Sequence, residues 1–248
     1  MAATSVIAVI PARLASTRLA EKAIADIGGL PMVVRVARQA SHARIPERVI
    51  VATDHDRIAR IVKDHGGEAL MTSADHQSGT DRIAEVARAI EAGIYLNVQG
   101  DLPFIAPADL DALSRPMLED SSIAMATLAT PIISADEFRN PNVVKVVLAG
   151  SNNALYFSRA PIPHPRDTSG VPSNAWRHIG VYAYRRDFLL KFASLPLGRL
   201  EQIERLEQLR ALENGCTIRV VASVAPSLEI DTAADLAEAR ELVDRGAA

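Results

Sequence analysis

Residues 94–105, Ile-Tyr-Leu-Asn-Val-Gln-Gly-Asp-Leu-Pro-Phe-Ile, predict a buried strand that stops abruptly. Alternate residues at its start are apolar and glycines bound the short run, as is typical of a strand. Pro103 cannot donate to a sheet ladder, so the strand ends at Gly100-Asp101. Ligands of open α/β sheets bind just beyond the carboxyl ends of the strands, where a carboxylate suits Mg²⁺. Asp101 is therefore a candidate metal ligand, although Gly and Asp are common turn residues and this stretch alone favours a turn.

Strand and helix patterns alternate around this stretch. Apolar runs predict strands at 5–10, 48–52, 68–71 and 94–98. Helices with one apolar face are expected at 31–43 and 80–92. A third helix is expected to follow an N-cap at 53–56 and to end at about residue 65. Such alternation predicts an α/β fold with a mostly parallel, doubly wound, Rossmann-like sheet.

The pattern changes after this region. We expect a helix at 109–118, followed by strands without intervening helices at 125–131, 143–148, 154–158 and 179–184. They predict an antiparallel, strand-rich arm over roughly 125–185 that could bury itself against a second subunit, with an irregular Pro-rich loop at 160–175. Further helices are expected at 186–192, 200–214 and 233–243, and a strand at 218–222. Glu201 and Arg205 are spaced as an i,i+4 ion pair on the second of these helices. The absence of repeats and linkers predicts a single domain over residues 1–248.

The composition excludes several classes of protein. A net charge of −3 over 248 residues gives no sign of a bulk nucleic-acid or membrane-surface binder. The single cysteine, Cys216, rules out an internal disulfide, and the six scattered histidines do not suggest a zinc site. The amino terminus lacks the basic region of a signal peptide, and no apolar run approaches the roughly 20 residues of a membrane span. We therefore expect a cytoplasmic protein that is not inserted in a membrane.

The loop after the first predicted strand is rich in cations. Arg13, Arg18 and Lys22 share it with the hydroxyls of Ser16 and Thr17. Arginine binds phosphate with two parallel hydrogen bonds and lysine acts as a point charge, so the loop suits a triphosphate. A solvated basic loop is the alternative, but the position after a first strand is where such folds bind phosphates. The loop has neither a G-x-G-x-x-G nor a P-loop motif, which disfavours a dehydrogenase and a P-loop kinase.

Two further segments combine helix caps with potential ligand contacts. Hydroxyl residues on both sides of Gly79 can cap the helix that follows, and Gly79 would let a base or ribose lie against the backbone. Arg82 lies one turn into that helix and is able to reach the same ligand. Asp231 precedes the last helix, where an N-cap is the simpler interpretation. Paired with Asp101, it becomes a second metal carboxylate.

These segments form an ordered set along the whole chain. They are IPARLASTRL (10–19), VATDH (51–55), HQSGTDR (76–82), NVQGD (97–101), NPNVVKVV (140–147), ALYFSRAPIP (154–163), RHIGVYAYR (177–185), LEQIERLEQLR (200–210) and IDTAADL (230–236). Together they resemble the family of 3-deoxy-manno-octulosonate (Kdo) cytidylyltransferases. The resemblance implies a nucleotidyltransferase fold, a homodimer built through the arm, and Mg²⁺-dependent coupling of CTP to Kdo for lipopolysaccharide biosynthesis.

The same resemblance implies roles for individual residues. Catalysis would rest on Arg13, Lys22 and Asp101, and Mg²⁺ would be held by Asp101 and Asp231. The implied nucleotide-binding positions are Ala12, Arg13, Leu14, Lys22, Gln77, Ser78, Gly79, Arg82 and Gln99. The implied sugar-binding positions are Gln99, Arg159, His178, Tyr182, Glu207 and Gln208. A guanidinium such as that of Arg159 suits the sugar carboxylate because it binds carboxylates with planar, two-point geometry.

Four departures from the family pattern bear on affinity and substrate. Leu102 replaces the glutamate of the usual Gly-Asp-Glu-Pro, Ala20-Glu21 replaces Pro-Gly before Lys22, and Leu30 replaces a usual lysine. The 160–176 loop is shorter and differs in sequence. If Glu21 pairs with Lys22, it would draw the lysine away from a phosphate. The alternatives are a cytidylyltransferase for a related sugar acid (8-amino-Kdo or sialic-type) and a nucleotide-binding homologue without turnover.

Overall fold

A sheet of nine strands is the middle layer of the computed structural model, which describes residues 4–14, 19–167, 170–225 and 228–246. In chain order the strands are β1 (Val6–Ala12), β2 (Asp26–Ile27), β3 (Leu30–Pro31), β4 (Arg48–Thr53), β5 (Glu68–Met71), β6 (Ile94–Asn97), β7 (Met125–Pro131), β8 (Lys145–Leu148), β9 (Ala154–Ser158), β10 (Trp176–Arg185) and β11 (Ile218–Ala222). The helices are α1 (Met32–Ser41), α2 (Asp56–Asp64), α3 (Gly79–Ala89), α4 (Pro107–Glu119), α5 (Ala135–Arg139), α6 (Arg186–Ala193), α7 (Arg199–Glu204), α8 (Gln208–Glu213) and α9 (Ala233–Asp244). The short strands β2 and β3 form a separate ladder beside the sheet.

The strand order confirms the predicted mostly parallel, doubly wound sheet. Its main path runs β11-β7-β10-β6-β1-β4-β5. The pairs β1–β4, β1–β6, β4–β5 and β7–β11 are parallel. β10 is antiparallel to both of its neighbours on this path, β6 and β7. The carboxyl ends of the parallel strands therefore meet at one edge, where α/β folds bind ligands.

Two hydrophobic layers cover the sheet because successive residues of each strand point to opposite faces. From β1, Ala8 and Ile10 pack with apolar residues of α1, α2 and α4. Ile7 and Val9 point the other way and pack with α3, α6 and α8. The strand is apolar at every position because both faces are covered, which is why it reads as a continuous hydrophobic run.

The antiparallel strands predicted for residues 125–185 are present, and they occupy two different places. β7 and β10 lie inside the main sheet. β8 and β9 pair with each other, and β8 also pairs with Trp176 and Arg177 at the start of β10. The hairpin of β8 and β9 therefore extends the sheet beyond its main path.

An irregularity in β10 lies beside the ligand edge. Ile179 pairs with Leu128 of β7, whereas Tyr182 pairs with the next residue of β7, Thr127. Between these two pairs β10 advances by three residues and β7 by one, so β10 forms a bulge. Gly180 lies within this bulge. A bulge of this kind redirects side chains and is common next to active sites.

The prediction of one helix over 200–214 is wrong. The chain forms α7 and α8 with a break at Arg205, whose φ of 55° and ψ of 46° are left-handed. The predicted Glu201–Arg205 pair is also wrong, because Glu201 instead binds Arg210 with two hydrogen bonds of 2.8 and 2.6 Å. The short helix α5, capped by Ser134, was not predicted.

Within the described ranges, no helix combines the length and the apolar composition that spanning a bilayer requires.

Candidate active site

The carboxyl end of β1, where the cation-rich loop begins, is in close contact with two other segments. A Cβ atom added to Gly100 would lie 3.2 Å from the carbonyl oxygen of Pro11. A Cβ atom added to Gly79 would lie 3.1 Å from the Pro11 ring. These distances are tighter than ordinary van der Waals contact, so both positions favour glycine. The three segments predicted to hold phosphate, nucleoside and metal therefore meet at one point.

Lys22 lies at the centre of this meeting point. Its Nζ donates to Asp101 Oδ2 and to Asp231 Oδ1, both at 2.8 Å. A backbone hydrogen bond of 3.0 Å from Ile230 to the Asp101 carbonyl aligns the two acidic segments. The structure thus brings together the three residues that the sequence predicted as catalytic lysine and metal carboxylates, although 79 and 209 positions separate Lys22 from its partners.

The electrostatics of this cluster keep Lys22 charged. Burial alone lowers the pKa of the ammonium. The charges and hydrogen bonds of Asp101 and Asp231 outweigh burial, so that the pKa of Lys22 is raised overall. The group is therefore a fixed cation at neutral pH.

The carboxylates of this cluster fit a hard divalent cation. Carboxylate oxygens of Asp101, Asp231 and Glu229 all lie within 4.8 Å of one another. Asp101 Oδ1 is buried and has no hydrogen-bond partner within the described residues, while its Oδ2 accepts from Lys22. A buried, unpartnered carboxylate oxygen is costly unless a cation or donor satisfies it. Glu229 was missed in the sequence, and its spacing of two from the candidate Asp231 was the available signal.

The predicted nucleoside segment is a well-formed helix start. Ser78 is the N-cap of α3, and its side chain and that of Asp81 exchange reciprocal hydrogen bonds with the backbone. Gln77 is exposed and donates to the Asp75 carbonyl at 2.9 Å. Ser78 and Gly79 are half-buried, and Gly79 lies against Pro11 at the end of β1.

Arg82 is placed inside the protein. It is buried and donates to Asp54 Oδ2 at 2.9 Å, to the Thr72 hydroxyl at 2.5 Å and to the Ser73 carbonyl at 3.3 Å. These contacts tie α3 to the chain just beyond β4 and to the loop after β5.

The predicted sugar residues lie along β10 and the start of α8. The His178 and Tyr182 rings are 5.4 Å apart, and Gly180 between them lies against Gln99. Gln99 donates to the Asn97 side chain at 2.9 Å. Gln208 is buried, and its Nε2 has no acceptor within the described residues. This amide is therefore a donor available to a ligand.

The ionisation states of these residues follow from burial. Burial lowers the pKa of His178 to about 3, so the ring is neutral. Thr127 Oγ1 lies 2.9 Å from His178 Nε2 and 2.8 Å from the Val181 carbonyl. Because the hydroxyl proton goes to that carbonyl, Nε2 of the neutral ring is the donor and Nδ1 an acceptor. Burial, and then the charges of Glu207 and Glu229, raise the pKa of Tyr182, which stays a hydroxyl donor.

Arg159 is held at the end of β9. Its Nε donates to the Glu204 carbonyl at 2.8 Å and its Nη1 to the Pro141 carbonyl at 3.1 Å. The carboxylate of Glu204 accepts from the Arg159 backbone at 2.9 Å, and the buried ammonium of Lys145 donates to the Arg159 carbonyl at 2.7 Å. The guanidinium is thus fixed by carbonyls, which leave N–H groups available to an acid.

The remaining predicted loop residues are partly outside the described ranges. Ser16, Thr17 and Arg18 fall there. Ala12 is the buried last residue of β1, Leu14 is half-buried, and Arg13 is exposed between them. Glu21 is paired with Arg57 at 2.5 Å, not with Lys22, and has a left-handed φ of 51°. The conditional expectation that Glu21 draws Lys22 away is therefore wrong.

Comparison with known proteins agrees with this geometry. A family model described as cytidylyltransferase matches residues 7–219. A 3-deoxy-manno-octulosonate cytidylyltransferase of Syntrophotalea carbinolica is 52% identical over 239 residues, which is 94% of this chain and 96% of the relative. The chain belongs to the Kdo cytidylyltransferase family.

Other members and solved structures agree with this assignment. A Kdo cytidylyltransferase of Geobacter sulfurreducens is 48% identical over 96% of this chain and 98% of its own. The solved structure of a CMP:2-keto-3-deoxy-manno-octonic acid synthetase complexed with CTP is 43% identical, covers 98% of this chain and 100% of its own, and has a TM-score of 0.93. A cytidylyltransferase from Leptospira borgpetersenii, at 17% identity and a TM-score of 0.66 over 98% of this chain and 87% of its own, shares the fold.

Proposed function

We propose that this protein is an enzyme that couples CTP to Kdo, giving CMP-Kdo and pyrophosphate for lipopolysaccharide biosynthesis. The observation that carries the proposal is Lys22 bonded between Asp101 and Asp231 at the ligand edge of a cytidylyltransferase sheet. The relatives that this chain matches over nearly full length carry the same activity in their names. A nucleotide-binding homologue without turnover has no evident use for this triad.

The reaction requires alignment and charge neutralisation rather than a protein nucleophile. The anomeric oxygen of the sugar acid attacks the α-phosphorus of CTP, and a new P–O bond forms. The bond from that phosphorus to the oxygen bridging the α- and β-phosphates breaks, and pyrophosphate leaves. The hydroxyl proton of the sugar passes to solvent. Lys22 and Arg13 supply positive charge for the phosphates, and preorganised charge of this kind is often the largest contribution to catalysis.

Mg²⁺ is the cofactor we propose. Asp101 and Asp231 would hold it, with the carboxylate of Glu229 in the same cluster. The unpartnered Asp101 Oδ1 fits this assignment because Mg²⁺ is bound by one or two carboxylates plus substrate phosphates. When bound, the ion supplies a Lewis acid that neutralises phosphate charge and raises the acidity of a coordinated hydroxyl.

The sugar site proposed for Kdo combines Gln99, Arg159, His178, Tyr182, Glu207 and Gln208. Arg159 offers N–H groups to the carboxylate, and the Gln208 amide and Tyr182 hydroxyl are donors for sugar oxygens. Pyrophosphate release should be measured with CTP and a panel of 2-keto-3-deoxy acids that includes Kdo, 8-amino-Kdo and a sialic acid. We expect Kdo to give the highest kcat/KM. Release that is independent of every acid in the panel would contradict the proposal.

We also propose a homodimer that works in the cytoplasm. Leu155 of β9 and Ile203 of α7 are 61% and 76% exposed, and Leu155 lies in the strand-rich arm that would form the dimer contact. Sedimentation should show that the wild type is a dimer and that the Leu155→Asp dimer dissociates more readily. A wild-type monomer at assay concentration would contradict the dimer.

A further inference from the structure

The hydroxyl of Thr80 joins the nucleoside segment to the sugar segment. The Thr80 hydroxyl, in the first turn of α3, donates to Glu207 Oε2 at 2.6 Å. The two residues are 127 positions apart, and Thr80 is buried. Thr80 follows Ser78 and Gly79, and Glu207 precedes Gln208, so each end lies next to predicted ligand residues.

Glu207 is anchored on its far side by a second charged group. Arg210 donates to Glu207 at 3.3 Å and binds the buried carboxylate of Glu201 at two points. Burial raises the pKa of Glu207, while bonds from Thr80 and Ser78 and the charge of Arg210 oppose that shift. The carboxylate therefore has little freedom to turn, and a displacement of Thr80 acts on the start of α8.

Thr80 is also connected to the other side of the sugar site. The Tyr184 hydroxyl shares hydrogen bonds with Thr80 and Asn97. Asn97 accepts from Gln99 at 2.9 Å. A continuous polar chain thus runs from Glu207 through Thr80, Tyr184 and Asn97 to Gln99. None of the three middle residues is among the ligand-binding positions implied by the resemblance.

We propose that Thr80 is a positioning residue that couples the two substrate sites: nucleotide bound at 77–79 orders Glu207 and Gln208 through the Thr80 hydroxyl. The inference rests on the proposed function for the identity of the two substrates. Coupling between sites is reciprocal, so the sugar acid should equally tighten nucleotide binding. Thr80 itself needs no contact with either substrate.

Steady-state kinetics of Thr80→Val test the coupling. Valine keeps the volume of threonine and removes the hydroxyl. A hydrogen bond to a charged group is among the stronger ones, so we expect the KM for Kdo to rise about tenfold while the KM for CTP measured without saturating sugar changes less than about twofold. Thr80→Ser, which restores a hydroxyl, should recover most of the sugar affinity.

Ser223→Ala is the matched control. Ser223 donates to Asp109 at 2.8 Å across 114 positions, a hydroxyl-to-carboxylate bond of similar kind outside the predicted site. It should leave both KM values near wild type even if it lowers stability. An unchanged sugar KM in Thr80→Val, an equal rise in both KM values, or a failure of Thr80→Ser to recover affinity would overturn the inference.

Amide hydrogen exchange with CTP alone separates the coupling from the identity of the sugar. In the wild type and in Thr80→Ser, CTP should slow exchange in residues 206–213. In Thr80→Val, CTP should slow exchange only in its own contact segments. Protection of 206–213 by CTP in Thr80→Val equal to that in wild type would overturn the coupling. A wild type that shows the protection yet turns over no Kdo would overturn the proposed function and leave the coupling supported.

Discussion

At the scale of single residues, the contacts of Lys22 are the main support for the proposed active site. Its partners come from the segment after β6 and the segment before α9, and they hold its ammonium at 2.8 Å from each. The sequence indicated each of the three residues as a candidate. It could not give their mutual contacts, because nothing in the local pattern of one segment reports the position of another.

Lys22→Ala should reduce kcat/KM for CTP by at least about a hundredfold. The ammonium is the described cation nearest to the proposed metal carboxylates, and its raised pKa keeps it charged at assay pH. Glu21→Gln should change the KM for CTP by less than about twofold, because Glu21 pairs with exposed Arg57 and not with Lys22. Initial rates at varied CTP check both variants. A large effect of Glu21→Gln together with a small effect of Lys22→Ala would contradict the assignment.

Asp101→Asn should keep the fold and lower kcat at least about a hundredfold. The change removes charge from the cluster and hardly alters volume. Circular dichroism and pyrophosphate release measure the two effects, and Asp64→Asn at the exposed end of α2 is the matched control. Turnover within about tenfold of wild type corresponds to about 1.4 kcal/mol in the barrier. Such a small loss would rule out the metal role of Asp101.

At the scale of elements, α3 depends on the buried pair of Arg82 and Asp54. Arg82 is almost completely buried, so an uncompensated guanidinium there is costly. Asp54→Asn weakens a hydrogen bond between charged groups and should therefore lower the unfolding free energy by about 2 kcal/mol, measured by urea denaturation.

The exposed pair of Arg48 and Glu68 provides the control for this prediction. Both side chains are about half exposed, so Glu68→Gln should cost less than about 1 kcal/mol. Equal costs for Asp54→Asn and Glu68→Gln would show that burial does not govern the Arg82 pair.

The break between α7 and α8 shows where local pattern fails. Residues 200–214 contain no proline or glycine, and the spacing of their apolar residues fits one helix. Tertiary bonds override it: Glu204 accepts from the Ser158 hydroxyl at 2.6 Å and the Arg159 backbone at 2.9 Å, and Glu201 turns to Arg210. Arg205 adopts a left-handed conformation that costs an L-residue about 1–2 kcal/mol, so these bonds must offset that cost.

At the scale of the whole molecule, the strands were more predictable than their arrangement. Those at 68–71, 125–131, 154–158 and 218–222 match the observed strands residue for residue, because apolar runs bounded by turn residues are a local signal. The insertion of β10 between β6 and β7 was not predicted. Strand order is set by which faces can be buried together, and no single segment contains that information.

The stability of the protein should fall in mild acid because of His178. Its pKa is lowered to about 3 in the folded protein, against about 6.5 when unfolded. Below pH 6.5 the unfolded chain binds a proton that the folded chain does not, so the unfolding free energy falls as pH drops toward 3. From pH 7 to pH 5 the loss from this residue is about 2 kcal/mol. Urea denaturation at both pH values measures this loss of unfolding free energy. The loss should be smaller in His178→Gln than in the wild type by about that amount, and equal losses in the two proteins would contradict the prediction.

The position of β10 has a consequence for synthesis on the ribosome. β6 and β7 are translated well before β10, and each lacks its neighbour on that side until residues 176–185 have emerged. Two apolar strands with open hydrogen-bonding edges are thus exposed in the nascent chain, and such edges invite pairing with other chains. We therefore expect the two halves of the sheet to close around β10 as a late step of folding. Truncation before residue 176 should accordingly increase aggregation relative to the full chain.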